Sequence, residues 1–280
     1  GSGTGTDVTT VNKASPEIST TPSAGGPIGT VLNDTATLSG GVSPTGSVTF
    51  KLFPPSDPTC TGAPVDTDVD PSAPYATSPG FVSNAAGVWH WTADYAGDAN
   101  NNPVSSPCAA EAVTISKIDS QTVTAIHDAQ HNVVTSVPAG STVHDQATVS
   151  PAISGPTPTG DVDFTWFTNG TCEGTGVPSG TNIALVAGVA HPSDAQGPLA
   201  AGLYSFQASY SGDGNYNSSV STCELLTVEK VNSQTVTEIH NASEAVVTSV
   251  PAGATVHDKA TVAGSGITPT GDVDFVFFTA

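Results

Sequence analysis

The chain of 280 residues contains no Met and no Arg, and its 5 Lys stand against 25 Asp and Glu, which gives a formal net charge of −20. Proteins that bind nucleic acid or anionic membranes need Lys and Arg to neutralise phosphate groups. The charge therefore argues against a nucleic-acid partner. No apolar run approaches the roughly 20 residues of a transmembrane helix, so we expect no membrane insertion in this segment.

The sequence is poor in helix formers and rich in β-branched residues. It has 8 Leu against 32 Val, together with 39 Thr and 31 Ser. Val and Thr lose rotamer freedom in helices and pack well on pleated sheets. The 29 Gly and 22 Pro interrupt the chain too often for long helices. The composition therefore predicts an all-β fold.

An internal repeat organises the chain. Ser120–His127 (SQTVTAIH) recurs as Ser233–His240 (SQTVTEIH) at an offset of 113 residues. A more diverged copy lies upstream, where Leu32–Leu38 (LNDTATL) matches Val143–Val149 (VHDQATV). The repeat register predicts the following segments: the last strand of a preceding repeat (1–13), a first repeat (14–117), a second repeat (118–230) and a partial third repeat (231–280). Because the chain begins and ends inside a repeat, we expect it to be a window of a longer array.

Apolar residues alternate with polar ones in the second repeat, as they do in strands with one buried face. Tyr204, Phe206 and Tyr210 point to one side of their strand, and Ser205 and Ser209 point to the other. About seven short strands within each repeat predict a Greek-key β-sandwich of the immunoglobulin type. The predicted fold is thus a tandem of immunoglobulin-like (Ig-like) β-sandwiches.

Three short motifs recur in the same order: V-x-D-x-A-T-[LV], P-T-G-[DS]-V-x-F and Y-[SA]-G-D-x-N-x-N. From residue 7 onward the chain resembles the bacterial Ig-like repeat domains of secreted and cell-surface proteins. The resemblance implies a stalk, a spacer or an adhesive array, and it implies no catalytic residues. We therefore do not expect an enzyme.

Four cysteines fall two per full repeat, at corresponding positions. Cys60 and Cys108 are 48 residues apart, and Cys172 and Cys223 are 51 residues apart. Their even number and repeated placement predict one disulfide inside each repeat, as in extracellular proteins. The alternative is four reduced thiols in a cytosolic protein.

Two loops carry the pattern D-x-N-x-N, which presents oxygen atoms on alternate residues as calcium loops do. Asp and Asn also favour tight turns, because they bond to their own backbone, so a plain turn is the competing interpretation. We expect no other cofactor. The possible calcium ligands are Asp98, Asn100, Asn102, Asp213, Asn215 and Asn217.

The histidines show no Cys/His spacing typical of a zinc site. His127 and His144 recur as His240 and His257, and His131 follows His127 by four residues. We expect these histidines at the surface or in turns.

Trp89, Trp91 and Trp166 could stack on sugar rings, but strand alternation places them inward, as core residues. Four N-x-[ST] sequons allow glycan attachment on an exposed surface, at Asn33, Asn169, Asn217 and Asn241.

These observations favour a structural extracellular or cell-surface protein that forms a stalk, fibre or filament from end-to-end Ig-like domains. Its partners would be copies of itself or further repeats of the same chain, including strand pairing between subunits. The alternative is an adhesin or carbohydrate-binding array that contacts glycans or a host surface.

Overall fold

The computed structural model describes residues 9–278, and the fold is all-β as predicted. Within this range, the one helix is a 3₁₀ turn at Cys108–Ala110, and no helix there is long and apolar enough to cross a membrane. The described chain forms two compact units. The first unit consists of the residues up to Ser120, together with Ser150–Pro158 and Gly212–Ser218. The second unit consists of Gln121–Val149, Thr159–Ser211 and the residues from Ser219 onward.

The first unit contains eleven strands: β1 (Glu17–Pro22), β2 (Gly26–Pro27), β3 (Val31–Leu32), β4 (Asp34–Ser39), β5 (Val48–Phe53), β6 (Asp66–Asp70), β7 (Tyr75–Ala76), β8 (Phe81–Val82), β9 (Gly87–Tyr95), β10 (Val104–Ser105) and β11 (Ala112–Ser116). One sheet has the order β1-β4-β7, and the larger sheet has the order β2-β11-β9-β5-β6, with β10 on β9. Strands β3 and β8 form a separate pair.

Alternating side chains of β5 and β9 build the core of the first unit. Every second residue of β9 from Trp89 to Tyr95 is buried, while the residues between them reach the surface. Burial of apolar surface from both sheets is the main source of stability in such a sandwich. The buried positions include Leu32, Val48, Phe50, Leu52, Trp89, Trp91, Ala93, Tyr95, Val113 and Ile115.

The second unit contains β12 (Ser120–Asp128), β13 (Ser136–Pro138), β14 (Val143–Pro151), β15 (Asp161–Phe167), β16 (Val177–Pro178), β17 (Ile183–Ala184), β18 (Val189–Ala190), β19 (Gly202–Tyr210), β20 (Ser219–Val220), β21 (Glu224–Glu229), β22 (Ser233–Asn241) and β23 (Val256–Gly264). Its sheets are β12-β14-β18, the β13-β21-β19-β15-β16 sheet with β17 and β20 at its sides, and the pair β22-β23.

The two units share one topology. In each, a short strand pairs in parallel with the last strand of the larger sheet, β2 with β11 and β13 with β21. Neighbouring long strands pair antiparallel in both units, for example β5 with β9 and β15 with β19. This arrangement confirms the predicted immunoglobulin-type sandwich.

Trp166 anchors the core of the second unit. Its ring stacks on Tyr204 at a centroid distance of 5.1 Å and lies 4.6 Å from Phe206. Trp89 and Trp91 are also buried, so the prediction that all three tryptophans face inward is confirmed. Sugar stacking on their faces would require exposing them.

The predicted segment 1–13 has no strand in its described part. Residues 1–8 lie outside the described residues, and 9–13 pair with no strand in the part of the chain that the structure covers. The predicted repeat boundaries themselves stay predictions.

Candidate functional site

The same lysine contact occurs at two positions that correspond in the repeat. The Nζ atom of Lys13 donates a hydrogen bond to the main-chain oxygen of Asp98 (2.6 Å), and that of Lys117 donates to the main-chain oxygen of Asp213 (2.5 Å). Each lysine stands at the predicted end of a repeat, and each aspartate begins a D-x-N-x-N loop. All four residues lie in the first unit. The lysine therefore holds a loop of the repeat that follows it.

Main-chain bonds next to the second lysine extend this contact. The N–H of Ile118 donates to the oxygen of Asn215, and the N–H of Asn217 donates back to the oxygen of Ile118. Asn215 also accepts the N–H of Ala86 through its side-chain oxygen (3.0 Å). The hydroxyl of Tyr216 donates to the oxygen of Pro156. We call Lys117–Ser120 together with Ser150–Pro158 and Gly212–Ser218 the junction.

The first loop repeats the pattern. The N–H of Ala14 donates to the oxygen of Asn100, and the N–H of Asn102 donates back to the oxygen of Ala14, both at 2.8 Å. Parallel bridges therefore form at equivalent places, Ala14 with Asn101 and Ile118 with Tyr216.

The carboxylate of Asp98 accepts several hydrogen bonds from the protein. It accepts the backbone N–H groups of Thr45, Asn100 and Asn101, and also the hydroxyl of Tyr95. These bonds, led by that from Thr45, hold the pKa of Asp98 well below its usual range. An Asp carboxylate with such donors is typical of a tight turn.

The second predicted calcium loop has a similar arrangement. One carboxylate oxygen of Asp213 accepts the N–H groups of Asn215 and Tyr216, at 2.7 and 2.9 Å. The amide of Asn217 donates to Asp119 (2.8 Å). These geometries favour the turn interpretation, and calcium binding stays a prediction.

Both predicted disulfides are present. Cys60 is bonded to Cys108, and Cys172 to Cys223, with Cα–Cα distances of 5.9 and 5.7 Å. The part of the chain that the structure describes has no free cysteine. The bonds connect the loop after β5 or β15 with the segment before β11 or β21.

Each unit buries an aspartate that the sequence analysis did not single out. Asp34 and Asp145 are 1% and 0% exposed. Burial raises the pKa of Asp34 to about 7 and that of Asp145 to about 8. Nearby Glu111 and Glu224, which are equivalent in the repeat, raise these pKa values further by charge repulsion. One side-chain oxygen each of Asp34, Asp145 and Glu224 has no hydrogen-bond partner among the described residues.

Four histidines from three segments of the second unit come together. The Nε2 atoms of His144 and His191 are 3.1 Å apart. The ring of His127 stacks on that of His144 at 5.6 Å, and His131 lies 4.9 Å from His144 and 5.4 Å from His191 (ring centroids). We call these four residues the histidine cluster. The prediction of surface or turn positions is wrong for His127 and His144, which are buried because β12 and β14 are adjacent in one sheet.

The local fold sets the orientation of each ring in the histidine cluster. The Nδ1 atom of His127 is 2.8 Å from the oxygen of Ala125, so its Nε2 is free to act as an acceptor. His131 sits at φ 63° in the tight turn after β12, where its N–H donates to the oxygen of Asp128 (3.0 Å). His191 follows β18 and is only partly buried, so the cluster opens to the surface.

The environment lowers the pKa of two of these rings and so favours their neutral form. The pKa of His144 is lowered by burial first and then by its histidine neighbours, His191 foremost. The pKa of His191 is lowered by burial and by His127 and His131. Neutral imidazole is the form that binds metal ions.

A related group occurs one repeat later. His240, Glu244 and His257 stand 113 residues after His127, His131 and His144. The rings of His240 and His257 stack at 5.7 Å, and the Nε2 of His257 is 3.3 Å from a carboxylate oxygen of Glu244. His240 is buried, contrary to prediction, and its Nε2 has no hydrogen-bond partner among the described residues.

The predicted glycosylation residues have varied environments. Asn217 is exposed, whereas Asn33, Asn169 and Asn241 are half-buried. The side-chain amide of Asn169 donates to the oxygen of Glu173 (3.0 Å). Their modification stays a prediction.

Comparison with known proteins places part of this geometry in a family. Residues 131–229 match the family model described as bacterial Ig-like domain (group 3). No curated protein matches the chain significantly. A solved structure of Salmonella alpha-2-macroglobulin reacted with methylamine is 10% identical over 87% of this chain and 20% of that one, with a TM-score of 0.29. The chain thus spans about a fifth of that protein, and a similarity at this level supports no functional conclusion.

Proposed function

Residues 131–229 belong to the bacterial Ig-like domain family, and from this premise we propose that the chain is a segment of an extracellular, load-bearing array of Ig-like domains. The disulfides support an extracellular location, because such bonds persist in oxidising compartments and are rare in the cytosol. A stalk or spacer needs domains that resist unfolding and connections that resist bending.

The contact of Lys13 with Asp98, repeated by Lys117 with Asp213, is the observation that carries this proposal. A lysine contact of this kind at a single place could occur in any protein of two domains. A connection built again at the corresponding position, with the same paired main-chain bonds, is what a repeating structural element requires. The junction therefore supports a function in which length is gained by adding repeats.

Single-molecule stretching of the 280-residue chain tests the load-bearing role. We expect separate unfolding events. The gain in chain length at each event should increase after the disulfides are reduced. Each residue spans at most ~3.3–3.6 Å, and the disulfides join cysteines that are 48 and 51 positions apart in the sequence. Smooth extension at low force, without discrete events, would contradict a load-bearing function.

A glycan array and a binding assay on host-cell surfaces separate the stalk from an adhesin. For a stalk we expect no saturable binding at any concentration at which the chain is monodisperse. Saturable binding that a loop substitution abolishes would support the adhesin instead.

Assembly into a filament through strand pairing between subunits is the finer form of the proposal. Strands with unpaired edges readily add a further strand. Electron microscopy of the native material should show fibres if subunits pair in this way. Dispersed single chains at all concentrations would restrict the proposal to a stalk within one chain.

A further inference from the structure

We propose that three residues of the histidine cluster, His127, His144 and His191, bind a divalent transition-metal ion of the zinc type, and that His240, Glu244 and His257 form a second, related site. This inference is independent of the array function, since it concerns side chains that the junction does not use.

The spacing of the nitrogen atoms fits a metal. Zinc bonds to histidine nitrogen at ~2.0–2.1 Å and is usually tetrahedral, so two coordinated nitrogens lie roughly 3.3–3.4 Å apart. The Nε2 atoms of His144 and His191 are 3.1 Å apart. One ligand atom from each of His127, His144 and His191 lies within 4.8 Å of the others. A small movement of these side chains would bring three nitrogens around one ion.

The surroundings of His127 match those of a metal ligand. Ligating histidines usually donate their second ring N–H to a carbonyl or carboxylate, which fixes the tautomer. The Nδ1 of His127 has such a partner in the oxygen of Ala125, and the Nδ1 of His240 has one in the oxygen of Glu244 (2.9 Å). In both residues this leaves Nε2 available for an ion.

The later repeat supplies an independent observation. Nε2 of His240 is buried without a hydrogen-bond partner among the described residues, and a carboxylate oxygen of Glu238 lies 3.8 Å from it, beyond hydrogen-bond distance. A buried polar atom without a hydrogen bond is costly unless something else binds it. Glu244 takes the place of His131 and, at φ 62°, occupies the same left-handed turn position as His131 at φ 63°. Carboxylate is the other common zinc ligand besides histidine and cysteine. The second group thus has a carboxylate ligand at the turn position that His131 occupies beside the first group.

The first unit lacks the cluster and provides a natural comparison. Asn33 takes the place of His144, and its side-chain oxygen accepts a hydrogen bond from Thr77 (3.4 Å). The backbone N–H of Ser23 donates to the main-chain oxygen of Asn33. At the corresponding place in the third repeat, His240 is paired with His257. The same strand pairing thus forms without histidine, so the cluster is not required by the fold.

Metal binding would connect three separate segments of the second unit. The ligands come from the end of β12, from the start of β14 and from the residue after β18. An ion held by all three would restrain one end of the β12-β14-β18 sheet. We therefore expect zinc to raise the unfolding temperature of the chain, since an ion that binds only the folded state stabilises it.

The test uses the full chain after removal of metals with a chelator. Calorimetric titration with Zn²⁺ should give two binding events of different affinity, and Co²⁺ should give the visible absorption of a four-coordinate ion. His144→Asn should weaken the first event at least about ten-fold, and His257→Asn the second. His144→Asn reproduces Asn33 of the first repeat, so we expect the variant to fold.

His90→Asn is the matched control, because His90 lies outside both groups and bonds to the oxygen of Cys108 (3.3 Å). It should leave both zinc events and the thermal shift unchanged. Equal zinc binding by the wild-type chain and a His144→Asn, His257→Asn double variant would overturn the proposal. So would an absence of binding by the wild-type chain, or an equal loss in the His90→Asn chain.

Discussion

The ammonium group of Lys117 donates a hydrogen bond to the main-chain oxygen of Asp213, 96 residues further along the chain. The same contact joins Lys13 to Asp98 across 85 residues. A contact made twice at corresponding positions is hard to attribute to chance packing. It also makes the two lysines matched controls for each other.

We expect Lys117→Ala to loosen only the loop that Lys117 holds. An exposed hydrogen bond of this kind contributes up to about 1 kcal/mol, so amide exchange of Ile118 and Asn217 should accelerate about two- to five-fold. Lys13→Ala should accelerate exchange around Asn102 in the same way. Hydrogen-exchange mass spectrometry distinguishes the loops, and equal changes in both loops for either variant would contradict a local role.

The buried aspartates predict that stability falls as the pH rises. The pKa of Asp145 is about 8 in the folded chain against 3.8 for an unperturbed carboxyl, so the folded state binds more protons between these values. Its contribution is complete below pH 3.8 and is lost as the pH rises to about 8. The loss should be on the order of 3 kcal/mol between pH 5 and pH 8, measured by urea unfolding.

Asp145→Asn removes the part of this dependence that Asp145 contributes and leaves the part that Asp34 contributes, while it keeps the side-chain oxygen that accepts the N–H of Gln146. The variant should be about as stable as the wild type at pH 5 and more stable at pH 8. Asp163→Asn, at an exposed position of β15, is the control and should leave the slope unchanged. Because the lowered pKa values of His144 and His191 act in the opposite direction, the comparison is between the two chains: the same pH dependence in the wild type and in Asp145→Asn would show that Asp145 is not protonated in the folded state.

Much of the fold could be predicted from the sequence because its signals are local or repeated. The alternation in β9 marks the buried face directly, and the copied cysteine positions indicate which cysteines pair. In β19 the alternation fails at Ser205, which was expected on the outward face and is buried, where its hydroxyl donates to the main-chain oxygen of Asn169. Asp145 also follows this alternation, since Val143, Ala147 and Val149 on either side are buried. The position of Asp145 in this alternation could have identified it as an inward-facing carboxyl group. It was overlooked because an acidic residue among other polar residues usually indicates a turn.

The histidine cluster could not be predicted in the same way. Its closest pair, His144 and His191, is separated by 47 residues, and no local spacing connects them. Only the pairing of β12 with β14 and the return of the chain through β18 bring the rings together. One signal was available, because His127 and His144 recur together at a single offset, as residues that face each other across two strands would.

Each disulfide should stabilise its own unit. Bonds between cysteines 48 and 51 positions apart restrict the unfolded chain, and each stabilises the folded state by about 2 to 4 kcal/mol. The double change Cys172→Ala with Cys223→Ala should lower the urea midpoint reported by Trp166 and leave that reported by Trp89 and Trp91 in place. Changing Cys60 and Cys108 should have the opposite effect. A single shared shift of both transitions would mean that the units unfold together.

Trp166 is the side chain whose loss should damage the second unit most. It is 5% exposed, and its ring packs against Tyr204 and Phe206. Trp166→Ala should cost about 3–5 kcal/mol, because the large side chain leaves a cavity that the β-sheets cannot close. Leu203→Ala is the control, since Leu203 is 54% exposed on neighbouring β19, and it should cost less than about 1 kcal/mol. Unfolding in urea followed by circular dichroism measures both, and similar losses for the two variants would mean that Trp166 is not the centre of this core.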